Sequence, residues 1–140
     1  MKKVLAGGVF NIIHPGHEFF LKKSKEVGDY LVVVVANNRT ARLTKKYPVL
    51  DQEKRKKNLE KLGIADRVVV GDEKDFMKVV RKEKPDVIAL GYDQEMSESE
   101  LRKKLKKEEI DCEIIRIRDE LKGYKTSMIM GRNGKNKEED

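Results

Sequence analysis

The only two histidines in the chain, His14 and His17, stand three residues apart across Pro15 and Gly16. Before them, Val4-Leu5-Ala6-Gly7-Gly8-Val9-Phe10 is an apolar run that reads as a buried strand whose glycines permit close backbone approach. After them Phe20, Leu21, Ser24 and Val27 recur at helical spacing, and Gly28 supplies a stop. The pair therefore falls where a strand turns into a helix. A helix start offers free N–H groups and a positive dipole end, and two imidazoles add further donors, so the place suits phosphate oxygens. Two plainer readings compete. The pair could supply two metal ligands, although no cysteine or further histidine is available to join them, or it could be merely structural.

The elements that must hold this turn can be read along the chain. Tyr30 to Ala36, with four consecutive valines, is a strand buried on both faces, which implies a parallel sheet covered by helices. Asp51 to Leu62 reads as a helix ended by Gly63, Arg67 to Val70 as a strand, and Asp75 to Lys84 as a helix ended by Pro85. Asp86 to Leu90 is a fourth strand. Ser97 caps a charged helix reaching about Glu109, with Leu101 and Leu105 inward, and Cys112 to Ile117 is a fifth strand. The alternation predicts one Rossmann-like α/β domain over residues 1–132, its five-stranded parallel sheet flanked by helices and joined by right-handed crossovers. In such a sheet, ligands sit at the carboxyl ends of the strands. Residues 133–140, polar and glycine-containing, read as a disordered tail.

Composition narrows the partners. The 140 residues suit a single core, 38% of them hydrophobic and 41% charged, so the apolar residues must be concentrated in a few segments. No run approaches the length of a membrane span and no secretory leader is visible, so a soluble, cytoplasmic protein without membrane partners is expected. Cys112 alone cannot form an internal disulfide, and its strand position favours burial. The net charge of +7 is concentrated: between Arg39 and Lys61 nine basic residues face three acidic ones. That stretch invites a polyanion. It holds one aromatic, Tyr47, and so lacks the stacking platform of a single-strand binder; no nucleic-acid partner is expected.

Gly7-Gly8-Val9-Phe10-Asn11 followed by His14-Pro15-Gly16-His17 resembles the G-T-F-D…H-x-G-H motif of the nucleotidylyltransferase superfamily. So do Arg55, in the helix that follows the basic loop, Gly91-Tyr92-Asp93-Gln94 after the fourth strand, and the segment from Gly123 to Arg132. The resemblance covers about residues 3 to 132. It implies an enzyme in which the acceptor's phosphate attacks the α-phosphate of ATP or CTP in line and pyrophosphate leaves. It further implies that His14 and His17 hydrogen-bond the triphosphate, with Gly16 admitting the backbone, and that Lys45 or Lys46 and Arg55 neutralise phosphate charge. Val9, Phe10, Asp93, Tyr124, Thr126 and Ser127 fall on the nucleotide side. Mg²⁺ is expected with the nucleotide, with no metal ligands from the protein, and a homodimer is implied. The match is imperfect at two positions: Asn11 stands where aspartate is usual, and Lys125 where serine is common. Among superfamily members the segments Lys84 to Gln94 and Val70 to Glu73 look most like archaeal FAD synthases, which transfer AMP to FMN. A cytidylyltransferase acting on glycerol 3-phosphate or a related alcohol phosphate is the alternative.

Overall fold

A computed structural model describes residues 1–44, 48–72, 76–91 and 97–117. Five strands, β1 (Lys3–Gly8), β2 (Tyr30–Val35), β3 (Arg67–Val70), β4 (Val87–Leu90) and β5 (Glu113–Arg116), form one sheet in the order β3-β2-β1-β4-β5. Every neighbouring pair is parallel. The chain moves outward from β1 through β2 to β3, then returns to place β4 on the other side of β1. The carboxyl ends of β1 and β4 therefore flank the point where the winding reverses, the place where such sheets open a crevice.

Strand alternation divides the core in two. Val4, Ala6, Leu31, Val33 and Val35 point to one face with Leu21 of α1 (Pro15–Glu26) and Leu59 of a helix over Gln52–Leu62. Leu5, Val32, Val34, Ile88 and Leu90 point to the other. There they meet Val79 and Val80 of a helix over Phe76–Glu83, and Leu101 and Leu105 of one over Glu98–Lys107. The expected three-layer α/β arrangement is what the described residues form.

Two details depart from expectation. The basic stretch contains a further helix, α2 (Asn38–Thr44), so the helices that follow are α3 (Gln52–Leu62), α4 (Phe76–Glu83) and α5 (Glu98–Lys107). Gly28 does not end α1 in a left-handed turn; the helix stops at Val27 in right-handed geometry. Gly28 is needed for proximity instead, since a Cβ there would lie 2.7 Å from the Lys2 carbonyl oxygen and 2.8 Å from Val4 Cγ2. Gly63 ends α3 and Ser97 caps α5 where the sequence puts them, while Asp51, read as the first helical residue, is the N-cap of α3. Cys112 is half-buried at the edge of the second cluster. Burial, reinforced by Asp86, Asp111 and Glu113, pushes its thiol up to about 11. No described helix is long and apolar enough to cross a membrane.

Candidate active site

Beyond Gly8 the chain leaves the sheet through a corner at Phe10, which adopts a left-handed backbone with φ 53°. That conformation is costly for a bulky residue, and the surroundings must enforce it. Phe10 turns its ring inward, where it is 5% exposed, and folds back over Gly8; a Cβ on Gly8 would meet the ring at 3.0 Å. The ring then presents its edge to His17, with centroids 5.4 Å apart. Phe10 thus supports a histidine, and its main chain rather than its ring is available to a ligand.

His14 is the N-cap of α1 and Pro15 its first residue, a position where a missing N–H costs nothing. The two imidazoles make a reciprocal cap. His14 Nδ1 accepts from the Gly16 N–H at 3.0 Å, and His17 Nδ1 accepts from the His14 N–H at 3.2 Å. The His17 and Glu18 N–H groups donate to the His14 carbonyl. This corrects the expectation of free N–H groups at the helix start, because the cap already engages them. It also fixes the rings chemically: with both Nδ1 atoms accepting, the proton of each neutral imidazole resides on Nε2. The rings stack with centroids 3.8 Å apart and an interplanar angle of 29°, forming one double-donor unit at the positive end of α1. Among the described residues no group of three metal-ligating side chains comes together.

Arg55 is placed differently from a phosphate-neutralising side chain. It is 0% exposed, and its guanidinium donates to four acceptors: Leu50 O at 2.7 Å, Ala36 O at 2.7 Å, Val9 O at 3.0 Å and Asn38 Oδ1 at 3.1 Å. Burial pulls its pKa below the usual guanidinium value. Around it Asn38 and Gln52 exchange backbone-to-side-chain bonds of 2.8 and 2.7 Å, and Asn38 Nδ2 donates to Asp51 at 2.9 Å. The Asn38 amide and the Glu53 N–H hold the Asp51 carboxyl below its ordinary value. The starts of α2 and α3 are thereby joined beneath the ends of β1 and β2.

Asn11, 8% exposed, was singled out by sequence only as a departure from a motif. Its Oδ1 accepts from the Leu50 N–H at 2.7 Å and its Nδ2 donates to the Pro48 carbonyl at 3.3 Å. Asn37, 4% exposed, donates to the Gly71 carbonyl beyond β3. Of the residues expected at the site, the structure brings together Val9, Phe10, His14, Gly16, His17 and, from below, Arg55. Lys45, Lys46, Asp93, Tyr124, Thr126, Ser127 and Arg132, and the departure at Lys125, lie outside the described residues, as does the segment 133–140.

The family described as cytidylyltransferase-like matches residues 5–132. An FAD synthase of Ferroglobus placidus is 49% identical over 118 residues, 84% of this chain and 77% of that protein. One from Methanothermus fervidus is 47% identical over 128 residues, covering 89% and 86%. A crystal structure from Thermoplasma volcanium, described as a lipopolysaccharide core biosynthesis protein, superposes with a TM-score of 0.82 at 46% identity, over 86% of this chain and 98% of its own.

Proposed function

The chain belongs to the cytidylyltransferase-like family of nucleotidyltransferases, and within it we propose that this enzyme transfers AMP from ATP to FMN, yielding FAD and pyrophosphate. An oxygen of the FMN phosphate forms a bond to the α-phosphorus of ATP. The bond from that phosphorus to the bridging β-oxygen breaks, and its electron pair leaves with pyrophosphate. No protein nucleophile is needed, so the enzyme's work is to align two polyanions and to meet the charge that develops on the transferred and leaving groups.

The observation that carries this reading is the reciprocal histidine cap. It holds two imidazoles in the tautomer that donates from Nε2, at a helix end that attracts negative charge. The naming of the relatives as FAD synthases supports ATP and FMN over CTP and an alcohol phosphate. ATP would enter as its Mg²⁺ complex, the ion held mainly by the phosphates. Lys46, Asp93, Tyr124, Thr126 and Ser127 complete the nucleotide side by resemblance, and the protein would act in the cytoplasm as a homodimer.

Incubating the purified protein with Mg²⁺, each of ATP and CTP, and each of FMN and glycerol 3-phosphate tests the assignment. Pyrophosphate and FAD should form with ATP and FMN. Release with CTP and glycerol 3-phosphate but none with ATP and FMN would overturn it. Chelation of Mg²⁺ should abolish turnover, and light scattering should give twice the mass of the chain.

A further inference from the structure

Two side chains near the phosphate site, Asn11 and Arg55, converge on one short piece of backbone. Leu50 donates its N–H to Asn11 Oδ1 and accepts Arg55 Nε at its carbonyl, while Pro48 accepts Asn11 Nδ2. Arg55 also grips the Val9 carbonyl, one residue before the left-handed Phe10 whose ring supports His17. No carboxylate hydrogen-bonds Arg55 among the described residues; three of its four acceptors are backbone carbonyls and the fourth is the Asn38 amide oxygen. A buried guanidinium held in this way is a five-donor fork filling a geometry that a point charge could not fill.

We propose that Asn11 and Arg55 are positioning residues forming one clasp, which locks the Val9–Phe10 corner to the Pro48–Leu50 backbone and so holds His17 in place. The amide at position 11 is essential to it. An aspartate there could accept from the Leu50 N–H, but it would turn an oxygen with no proton toward the Pro48 carbonyl. Asparagine both accepts and donates, which accounts for the departure from the usual aspartate in this chain. The clasp deepens the FMN adenylylation reading, and its kinetic consequences rest on that reading.

The test combines Asn11→Ala, Asn11→Asp and Arg55→Lys with amide exchange at Leu50 in the substrate-free protein. The Leu50 N–H should be protected in the wild type and in N11D, which keeps the acceptor, and should lose protection in N11A. In turnover of ATP and FMN, kcat should fall about tenfold in N11A and N11D, the scale of one lost hydrogen bond between well-placed groups. It should fall about a hundredfold in R55K, the scale of a small misplacement of reacting groups. KM for ATP should change far less than kcat in all three. The double variant N11A/R55K should be little worse than R55K, since both residues hold the same Leu50. Wild-type kcat in R55K, multiplicative losses in the double variant, or equal Leu50 protection in N11A would each overturn the clasp. If R55K does not fold, the contrast between N11A and N11D in Leu50 exchange decides alone. A wild type inactive toward ATP and FMN, with Leu50 protection lost only in N11A, would sink the adenylylation reading and leave the clasp standing.

Discussion

The two ends of the sheet are built from opposite chemistry. At the amino end, an aspartate stands immediately before each of three strands, and its carboxylate takes an N–H from the start of a neighbouring strand or from the residue just before it. Asp29 before β2 accepts from Lys2, Asp66 before β3 from Leu31, and Asp86 before β4 from Lys3, at 2.7 to 2.8 Å. Glu83, whose side chain is 3% exposed, adds ion pairs to Lys3 and Arg67. At the carboxyl end the orphan groups are carbonyls, and the partners are donors: Arg55 for Val9 and Ala36, Asn37 for Gly71, Arg116 for Gly91. A parallel sheet exposes N–H and C=O groups at both ends, and buried ones must be answered. Acids answer the N–H groups and amides or guanidinia the carbonyls. The consequence is a molecule whose amino end is tied together by acids, while its carboxyl end, braced by amides and guanidinia, also carries the histidine cap that can receive a polyanion.

The sharpest way to break this contrast is to remove a donor from the carboxyl end. His14→Ala should lower kcat for FAD formation by about a hundredfold to a thousandfold, the cost of deleting one preorganised donor to a developing charge. Losing the N-cap should destabilise the fold by only about 1 kcal/mol. Pyrophosphate release and a thermal melt measure the two effects separately; a variant that loses stability and activity in step would mean that His14 is structural.

At the amino end the balance should invert. Glu83→Ala leaves Lys3 and Arg67 without a shared partner in a buried position. Both cations are partly solvated, so the cost should be about 2 kcal/mol rather than the full penalty of a stranded buried charge. The melting temperature should drop on the order of 5–10 °C while kcat at 25 °C stays within about twofold. A large fall in kcat with the melt unchanged would erase the division of labour.

Asp51 tests the carboxyl end more gently. Its carboxyl is held below the ordinary 3.8 by the Asn38 amide and the Glu53 N–H. A depressed folded value contributes stability that is fully present above the unfolded value and is lost as pH falls through the folded one. Asp51→Ala should therefore be less stable than the wild type at neutral pH, and the two should converge only below about pH 4. Denaturant melts across pH 2–7 check this; a difference that stayed constant to the acid limit would show that charge is not what caps α3.

Much of this organisation was legible in the sequence because single local signals dominate there. A run of valines reads as a buried strand in this setting, and Gly63 and Ser97 end and begin helices by the chemistry of their own backbone and side chain. α2 was missed because Asn38–Thr44 is short, polar and basic, with no apolar period to reveal it. The burial of Arg55 was hidden by its neighbours, for Gln-Glu-Lys-Arg-Lys-Lys reads as a solvated face. A signal was nevertheless present: Arg55, Leu59 and Leu62 stand at i, i+4 and i+7, so the arginine extends the inward stripe of α3. The histidine cap was half legible. Spacing placed the pair at the helix start, but that the rings would take up the free N–H groups depends on side-chain torsions that residue type does not specify. The aspartates preceding β2, β3 and β4 form a pattern whose meaning emerges only once strand order is known.

Cys112 offers the smallest and most local probe of the acidic end. It lies one residue before β5, and its thiol stands near 11 against an ordinary 9.0, so at pH 8 its thiolate fraction should be about a hundredfold below that of an ordinary cysteine. Burial is the leading cause and Asp86 the next. Alkylation by iodoacetamide should accordingly be slow in the wild type. Asp86→Asn keeps an oxygen for the Lys3 N–H while removing the charge, and it should speed the reaction by no more than about threefold. Because the mutation leaves burial untouched, any acceleration reports the carboxylate field alone. If Asp86→Asn left the rate unchanged while added salt also had no effect, the acids at this end would be acting only as hydrogen-bond acceptors. If the rate rose in the variant and in salt alike, the amino end would carry a negative potential opposed to the cationic clasp across the sheet.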